Sequence, residues 1–213
     1  MKLFAHRGWS AGAEENTISA FKKSAERNID GIEFDIRFGV GKIIVVTHNL
    51  ARDADTLTFD EALVYLSTTK LELLIECKEY SDEFYTAVIE TLFRYNIIER
   101  TTLFAFPEIA SKFPWNKPRS VRLGIIVPMP WDLAKSLYFY KPDMVLLGWG
   151  NRKERFAFKT FWLFRLLSRV IATHNTVRFV VGVAYSKSDV TWLAKQSGLY
   201  GYTIDNPSIA LGE

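Results

Sequence analysis

Compact apolar runs alternate with amphipathic stretches along almost the whole chain. An apolar run of four to eight residues bounded by Gly, Pro, Asn or Asp reads as a buried strand. Apolar residues recurring every three to four positions read as a helix packed by one face. Residues 3–5 form a first strand. Residues 17–27 form a helix with Asn16 as its N-cap and with Ile18, Phe21 and Ala25 on one face. Residues 31–38 are the second strand, and Gly39 and Gly41 turn the chain into a hairpin extension at 43–47. Further strands are expected at 71–77, 102–106, 121–127, 144–147, 179–184 and 200–204. Between them fall helices from Thr58 or Asp60 to Leu66, at 82–95, just before Pro114, at 131–140, at 155–172 and at 189–196. Eight apolar strands alternating with helices predict parallel strands buried on both faces. A (β/α)8 TIM barrel, one α/β domain over residues 1–213, is the natural closure, near the lower size limit for that fold.

Composition narrows this picture. At 213 residues the chain holds one full core and is short for two domains. The net charge of +3 is mild and the basic residues are spread out, so no nucleic-acid partner is expected. The one cysteine, Cys77, excludes an intramolecular disulfide and fits a reducing compartment. It alternates with Glu76 and Lys78, so it is expected to face the helix layer. Met1-Lys2-Leu3 runs straight into the first strand, so no signal peptide is expected, and no stretch approaches a membrane span. A cytoplasmic location follows as an expectation. The segment 156–167 mixes Phe156, Phe158, Phe161, Trp162 and Phe164 with nearby Arg and Lys. It reads as a helix packed on the barrel or on a second subunit, with peripheral lipid contact as the alternative. The oligomeric state stays open.

The candidate chemistry sits where charges interrupt apolar strands. His6 and Arg7 end the first strand. Glu33 and Asp35 lie two apart on the second, so both point to one face. His48 ends the hairpin extension, and Glu76 and Lys78 end the third strand. Singly, each has a bland reading: a solvated His-Arg pair, a surface carboxylate pair, a structural histidine, a bordering salt bridge. Together they converge at the C-terminal rim, where barrels of this kind carry function. Buried charges of this density need a metal or a partner. The set suits metal-assisted chemistry on a phosphate ester. Trp149, flanked by Gly148 and Gly150 beyond a later strand, is expected to line the substrate pocket.

These residues stand in recognisable motifs: Ala5-His6-Arg7-Gly8, Glu15-Asn16-Thr17, Glu33-Phe34-Asp35, Val45-Val46-Thr47-His48, Glu76-Cys77-Lys78, and Thr203-Ile204-Asp205-Asn206-Pro207 near the C-terminus. In them the chain resembles the glycerophosphodiester phosphodiesterases, a TIM-barrel family. The resemblance covers the whole chain and is sharp over the first 80 residues. It implies that Glu33, Asp35 and Glu76 bind one divalent cation, Mg2+ or Ca2+. It further implies that His6 and His48 act as general base and acid, and that Arg7 contacts the phosphate beside Lys78. Glu15 and Asn16 would support these groups. The implied reaction is hydrolysis of a glycerophosphodiester to an alcohol and glycerol 3-phosphate, by water or by a neighbouring glycerol hydroxyl. Related diesters with lysophospholipid or sphingomyelin headgroups, and a non-catalytic barrel that binds a phosphorylated ligand, are the alternatives.

The chain departs from the family pattern in three places. Asn49 stands where the family has Asp after the second histidine. Residues 51–58 replace a helical insertion, which predicts a more open pocket. Val181-Gly182-Val183-Ala184-Tyr185 stands in place of Trp-Thr-x-Asn, with Trp149 or Tyr185 as the candidate replacement for that aromatic wall.

Overall fold

The computed structural model describes residues 1–10, 14–27, 29–50, 56–115 and 120–212. Eight parallel strands close into a barrel: β1 (Lys2–His6), β2 (Gly31–Phe38), β4 (Glu72–Cys77), β5 (Thr101–Ala105), β6 (Arg122–Val127), β7 (Met144–Gly148), β8 (Arg178–Ala184) and β9 (Gly201–Ile204). Closure comes from β1, which pairs with both β2 and β9. The expected hairpin extension is β3 (Ile44–Val46), antiparallel to the end of β2. Outside the barrel lie α1 (Ile18–Glu26), α2 (Phe59–Leu66), α3 (Asp82–Arg94), α4 (Pro107–Ala110), α5 (Leu133–Tyr140), α6 (Arg152–Leu163), α7 (Leu166–Thr173), α8 (Lys187–Leu193) and α9 (Ser208–Leu211).

Period-2 alternation sorts the strand residues into two cores. Phe34, Ile75, Leu103 and Val145 face outward and pack with Phe21, Phe84 and Phe158 of the helices. Cys77 belongs to this outer core, as its parity requires. Inside the barrel, Phe4, Leu74, Phe104, Ile126, Met144 and Val180 form the middle layer. Below it, Glu72 closes the floor, accepting hydrogen bonds from Lys2 Nζ (2.6 Å), Tyr200 Oη (2.6 Å) and Arg178 (2.7 Å). Above it, at the C-terminal rim, the inward-facing polar residues of β1, β2 and β4 meet apolar residues from the later strands.

Phe4 fills the barrel axis because Gly31, its partner on β2, and Gly201, two residues before its partner on β9, leave room for the ring. A Cβ on Gly31 would lie 2.7 Å from the Phe4 ring, and one on Gly201 2.8 Å from it. Gly31→Ala is therefore expected to lower unfolding stability by about 1–3 kcal/mol, read as a lower urea midpoint with an unchanged slope.

Two expectations are corrected. Asn16 is not the N-cap of α1. Thr17 is, its Oγ1 accepting from the Ala20 N–H at 3.2 Å, because the Asn16 amide is engaged elsewhere. The single helix expected at 155–172 is broken into α6 and α7 at Arg165, which adopts a left-handed φ of 57°. A straight helix of that length would run about 27 Å, against about 17 Å for a five-residue strand. The break lets Phe158 and Trp162, and then Leu167 and Ile171, all bury against the sheet. Among the described residues no helix is long and apolar enough to cross a membrane.

Candidate active site

Strand register builds the site. His6 of β1 lies opposite Glu33 of β2, and Asp35 of β2 lies opposite Glu76 of β4. Glu33, Asp35 and Glu76 point to the same inner face and offer oxygens within 4.8 Å of one another. All three are buried. Above them opens a pocket of about 200 Å3, lined on one side by His6, Arg7, Glu33, His48, Glu76 and Lys78. Its opposite wall is apolar, made by Phe104, Phe106, Ile126, Pro128, Leu146 and Val183.

The turn after β1 positions Arg7. Arg7 itself has φ 55°, and Gly8 follows at φ 76° with no room for a Cβ against Ala20. In this turn the Arg7 backbone N–H donates to Glu33 Oε2 at 3.1 Å. The guanidinium donates to both oxygens of Glu15 at 3.0 Å, and its Nε lies 3.2 Å from Asp35. Asn16, also at positive φ, grips Asp35 twice: its Nδ2 donates to Asp35 Oδ2 (2.9 Å), and its Oδ1 accepts the Asp35 backbone N–H (3.3 Å). Lys78 Nζ bridges Asp35 (2.8 Å) and Glu76 (2.5 Å).

This packing sets the charge states. Burial raises the Glu33 carboxyl, the facing His6 partly offsets that, and Asp35 and Glu76 push it further, to about 8. Glu76 is likewise raised by burial, against the pull of Lys78. For Asp35 burial is outweighed by Lys78, Asn16 and Arg7, which hold it below the usual carboxylate range. Three oxygen donors, two of them pushed toward protonation by burial and by one another's charge, fit a hard divalent cation. With no thiol among them, they do not resemble a structural zinc set.

The two histidines differ in their partners. His6 Nδ1 donates to Asp205 Oδ1 at 2.5 Å, while its Nε2 lies 3.7 Å from Glu33. Burial alone would lower the His6 pKa, but Glu33 and Asp205 outweigh it and raise it. His48 Nδ1 meets the neutral Asn49 Oδ1 at 3.2 Å, and its carbonyl accepts from Arg37.

Nine of the ten sequence-predicted site residues converge: His6, Arg7, Glu33, His48, Glu76 and Lys78 line the pocket, and Asp35, Glu15 and Asn16 stand directly behind it. Trp149 does not. It is fully buried on the far side of β7, its ring 5.4 Å from Trp192 and 6.3 Å from Trp162. Leu146 and Gly148 point inward, so Trp149 must point outward. Tyr185 is stacked under Arg155 and also leaves the lining. The aromatic wall comes instead from Phe104 and Phe106, neither of which stood out in the sequence. Asp205 and Thr203, which stand in the C-terminal motif without an assigned role, also belong to the site. Thr203 lines the pocket with a buried Oγ1 that has no hydrogen-bond partner. Their two-residue spacing at the end of β9 was the available signal. The shortened segment after His48 falls mostly at 51–55, outside the described residues.

Over residues 6–201 the sequence matches the glycerophosphoryl diester phosphodiesterase family. The chain belongs to this family. A glycerophosphodiester phosphodiesterase of Caldanaerobacter subterraneus is 43% identical over 54 residues, 25% of this chain and 22% of that protein. A lysophospholipase D of Mus musculus is 37% identical over 73 residues, 30% of this chain and 22% of that protein. The aligned segments thus span about a fifth of the length of these curated relatives. The fold likeness is far more extensive. The phosphodiesterase of Oleispira antarctica, solved in complex with the product sn-glycerol-3-phosphate, superposes with a TM-score of 0.76 at 17% identity, covering 100% of this chain and 96% of that one.

Proposed function

We propose that this member of the glycerophosphoryl diester phosphodiesterase family is a divalent-cation-dependent enzyme that hydrolyses glycerophosphodiesters to an alcohol and glycerol 3-phosphate. The observation that carries this reading is the register that sets Glu33, Asp35 and Glu76 beneath a pocket holding two imidazoles and a guanidinium. The product found in the Oleispira antarctica relative supports the same substrate class. Glu33, Asp35 and Glu76 would hold Mg2+ or Ca2+, which supplies positive charge against the phosphate oxygens.

The remaining roles belong to the chain's own side chains. Arg7, its Nη1 held by Glu15 and its Nε beside Asp35, would offer its remaining guanidinium N–H groups and its charge to the phosphate, and Lys78 adds a second positive charge beside it. Asp205 fixes the proton on His6 Nδ1, leaving Nε2 free to accept a proton from the attacking hydroxyl. Against burial, the anionic Glu33 and Asp205 raise the basicity of His6. His48, which shares the pocket lining with Glu76 and whose Nδ1 meets Asn49, would give its proton to the leaving alcohol. A pocket of about 200 Å3 holds a small phosphorylated head rather than a whole lipid. The apolar wall ending at the exposed Phe106 favours a second reading, in which a lysophospholipid lays its acyl chain outward over the rim.

Purified protein offered glycerophosphocholine, glycerophosphoethanolamine or lysophosphatidylcholine with Mg2+ or Ca2+ is expected to release glycerol 3-phosphate from the first two. EDTA is expected to cut that rate by about 10²-fold or more. Turnover of the lysolipid alone moves the conclusion to the second reading. Absence of turnover with every diester and metal overturns the enzyme reading.

A further inference from the structure

The α6–α7 segment carries a surface that the proposed chemistry does not use. Phe156 is 75% exposed, Leu163 78% and Phe164 66%, and Leu166 is exposed beside them. Phe156 and Leu163 are seven residues apart on α6, so they share one face two turns apart. That face borders a shallow surface groove shared with Thr160, Trp192 and Gln196. Apolar side chains this large and this exposed, gathered within one helix and the turn that follows it, mark an interaction surface.

Charge says what covers it. Residues 152–169 carry six cations, Arg152, Lys153, Arg155, Lys159, Arg165 and Arg169, against one anion, Glu154. Glu154 is occupied at the head of α6, accepting from the Gly150 N–H (2.7 Å) and the Asn151 side chain (2.6 Å). Arg155 and Lys159 are turned onto rings of the protein. Arg152, Lys153, Arg165 and Arg169 are exposed, and none makes an ion pair among the described residues. A second copy docking by the same face would set these cations against themselves, since a two-fold interface pairs a patch with its own image. A surface of acyl chains under anionic headgroups satisfies both features: the Phe and Leu side chains enter the apolar layer and the guanidiniums meet phosphates.

We infer that the α6–α7 face docks this protein on an anionic lipid surface. The N-terminal end of α6 borders the pocket through Gly150 and Glu154, so the docking segment and the pocket rim share one helix.

Sedimentation of the full chain with vesicles tests this independently of any activity. Phosphatidylcholine vesicles containing phosphatidylglycerol are expected to pellet the protein, and vesicles of phosphatidylcholine alone to pellet far less. Arg165→Glu with Arg169→Glu is expected to lower the partition coefficient on anionic vesicles about 30-fold or more. Phe156→Ser with Phe164→Ser is expected to lower it about tenfold or more. Circular dichroism spectra of both double variants should match the parent, since all four side chains are exposed. Equal binding to both vesicle types, no binding at low salt, or unaltered binding by the variants would each overturn the inference. A dimer of the parent that both double variants dissociate would overturn it too, assigning the face to a second copy.

Discussion

Glu33→Gln is expected to lower kcat/KM for glycerophosphocholine by about 10²–10³-fold while leaving the metal-free fold at least as stable as the parent. The two halves of this result have one cause. Glu33 is buried beside Asp35 and Glu76, and that environment raises its carboxyl to about 8. The carboxylate is therefore a liability to the fold and an asset only to a cation. Glutamine keeps the shape and can still accept the Arg7 N–H through its amide oxygen, but it removes a negative ligand. The pH dependence follows with a definite sign. A carboxyl whose pKa is higher in the folded than in the unfolded state binds more protons when folded, so stability falls as pH rises. In EDTA the parent is expected to lose stability relative to Glu33→Gln between about pH 4.5, the ordinary value, and about 8. Thermal melts of both proteins across that range check it. A variant that keeps full metal-dependent activity would remove Glu33 from the ligand set.

His6→Ala is expected to lower kcat by about 10²–10⁴-fold with KM for the diester changed little. In the proposed mechanism binding rests on Arg7, Lys78 and the apolar wall, whereas His6 acts on the proton. Its imidazole is held by Asp205 at 2.5 Å, so Asp205→Asn is expected to reproduce a smaller part of the loss, about 10–100-fold. Added imidazole should restore part of the His6→Ala rate and none of the Asp205→Asn loss, which arises from misorientation of a ring still present. Steady-state kinetics with and without imidazole separates these outcomes. Equal losses in kcat and in diester affinity would instead assign His6 to binding.

The strands were legible because their apolar runs are compact and sharply bounded, and the closed barrel follows from eight of them in alternation. Glu33 and Asp35 were legible for the same reason: charges inside an apolar run have few places to go. The failures are also specific. Asn16 and Thr17 are both good caps by composition, and only the tertiary contact with Asp35 decides between them. Trp149 drew attention by its size and its glycine neighbours, although strand parity from Leu146 and Gly148 already turns it outward. The break at Arg165 involves neither Gly nor Pro, and the apolar period runs on across it, so only the need to fit the helix against short strands exposes it. Phe106 and Thr203 look like ordinary strand-end residues until the pocket above them is known. The exposed stripe on α6 was visible as an aromatic, basic segment, but exposure of Phe156, Leu163 and Phe164 belongs to the three-dimensional packing.

The central claim is that three carboxylates hold one divalent cation on which hydrolysis depends. Equilibrium dialysis of EDTA-stripped protein against Ca2+, with glycerophosphocholine hydrolysis followed in the same samples, tests it most directly. Binding of one ion per chain, with activity rising in proportion to occupancy, is the predicted result. Full hydrolysis by the stripped protein would contradict it, as would an ion that binds equally well to Glu33→Gln.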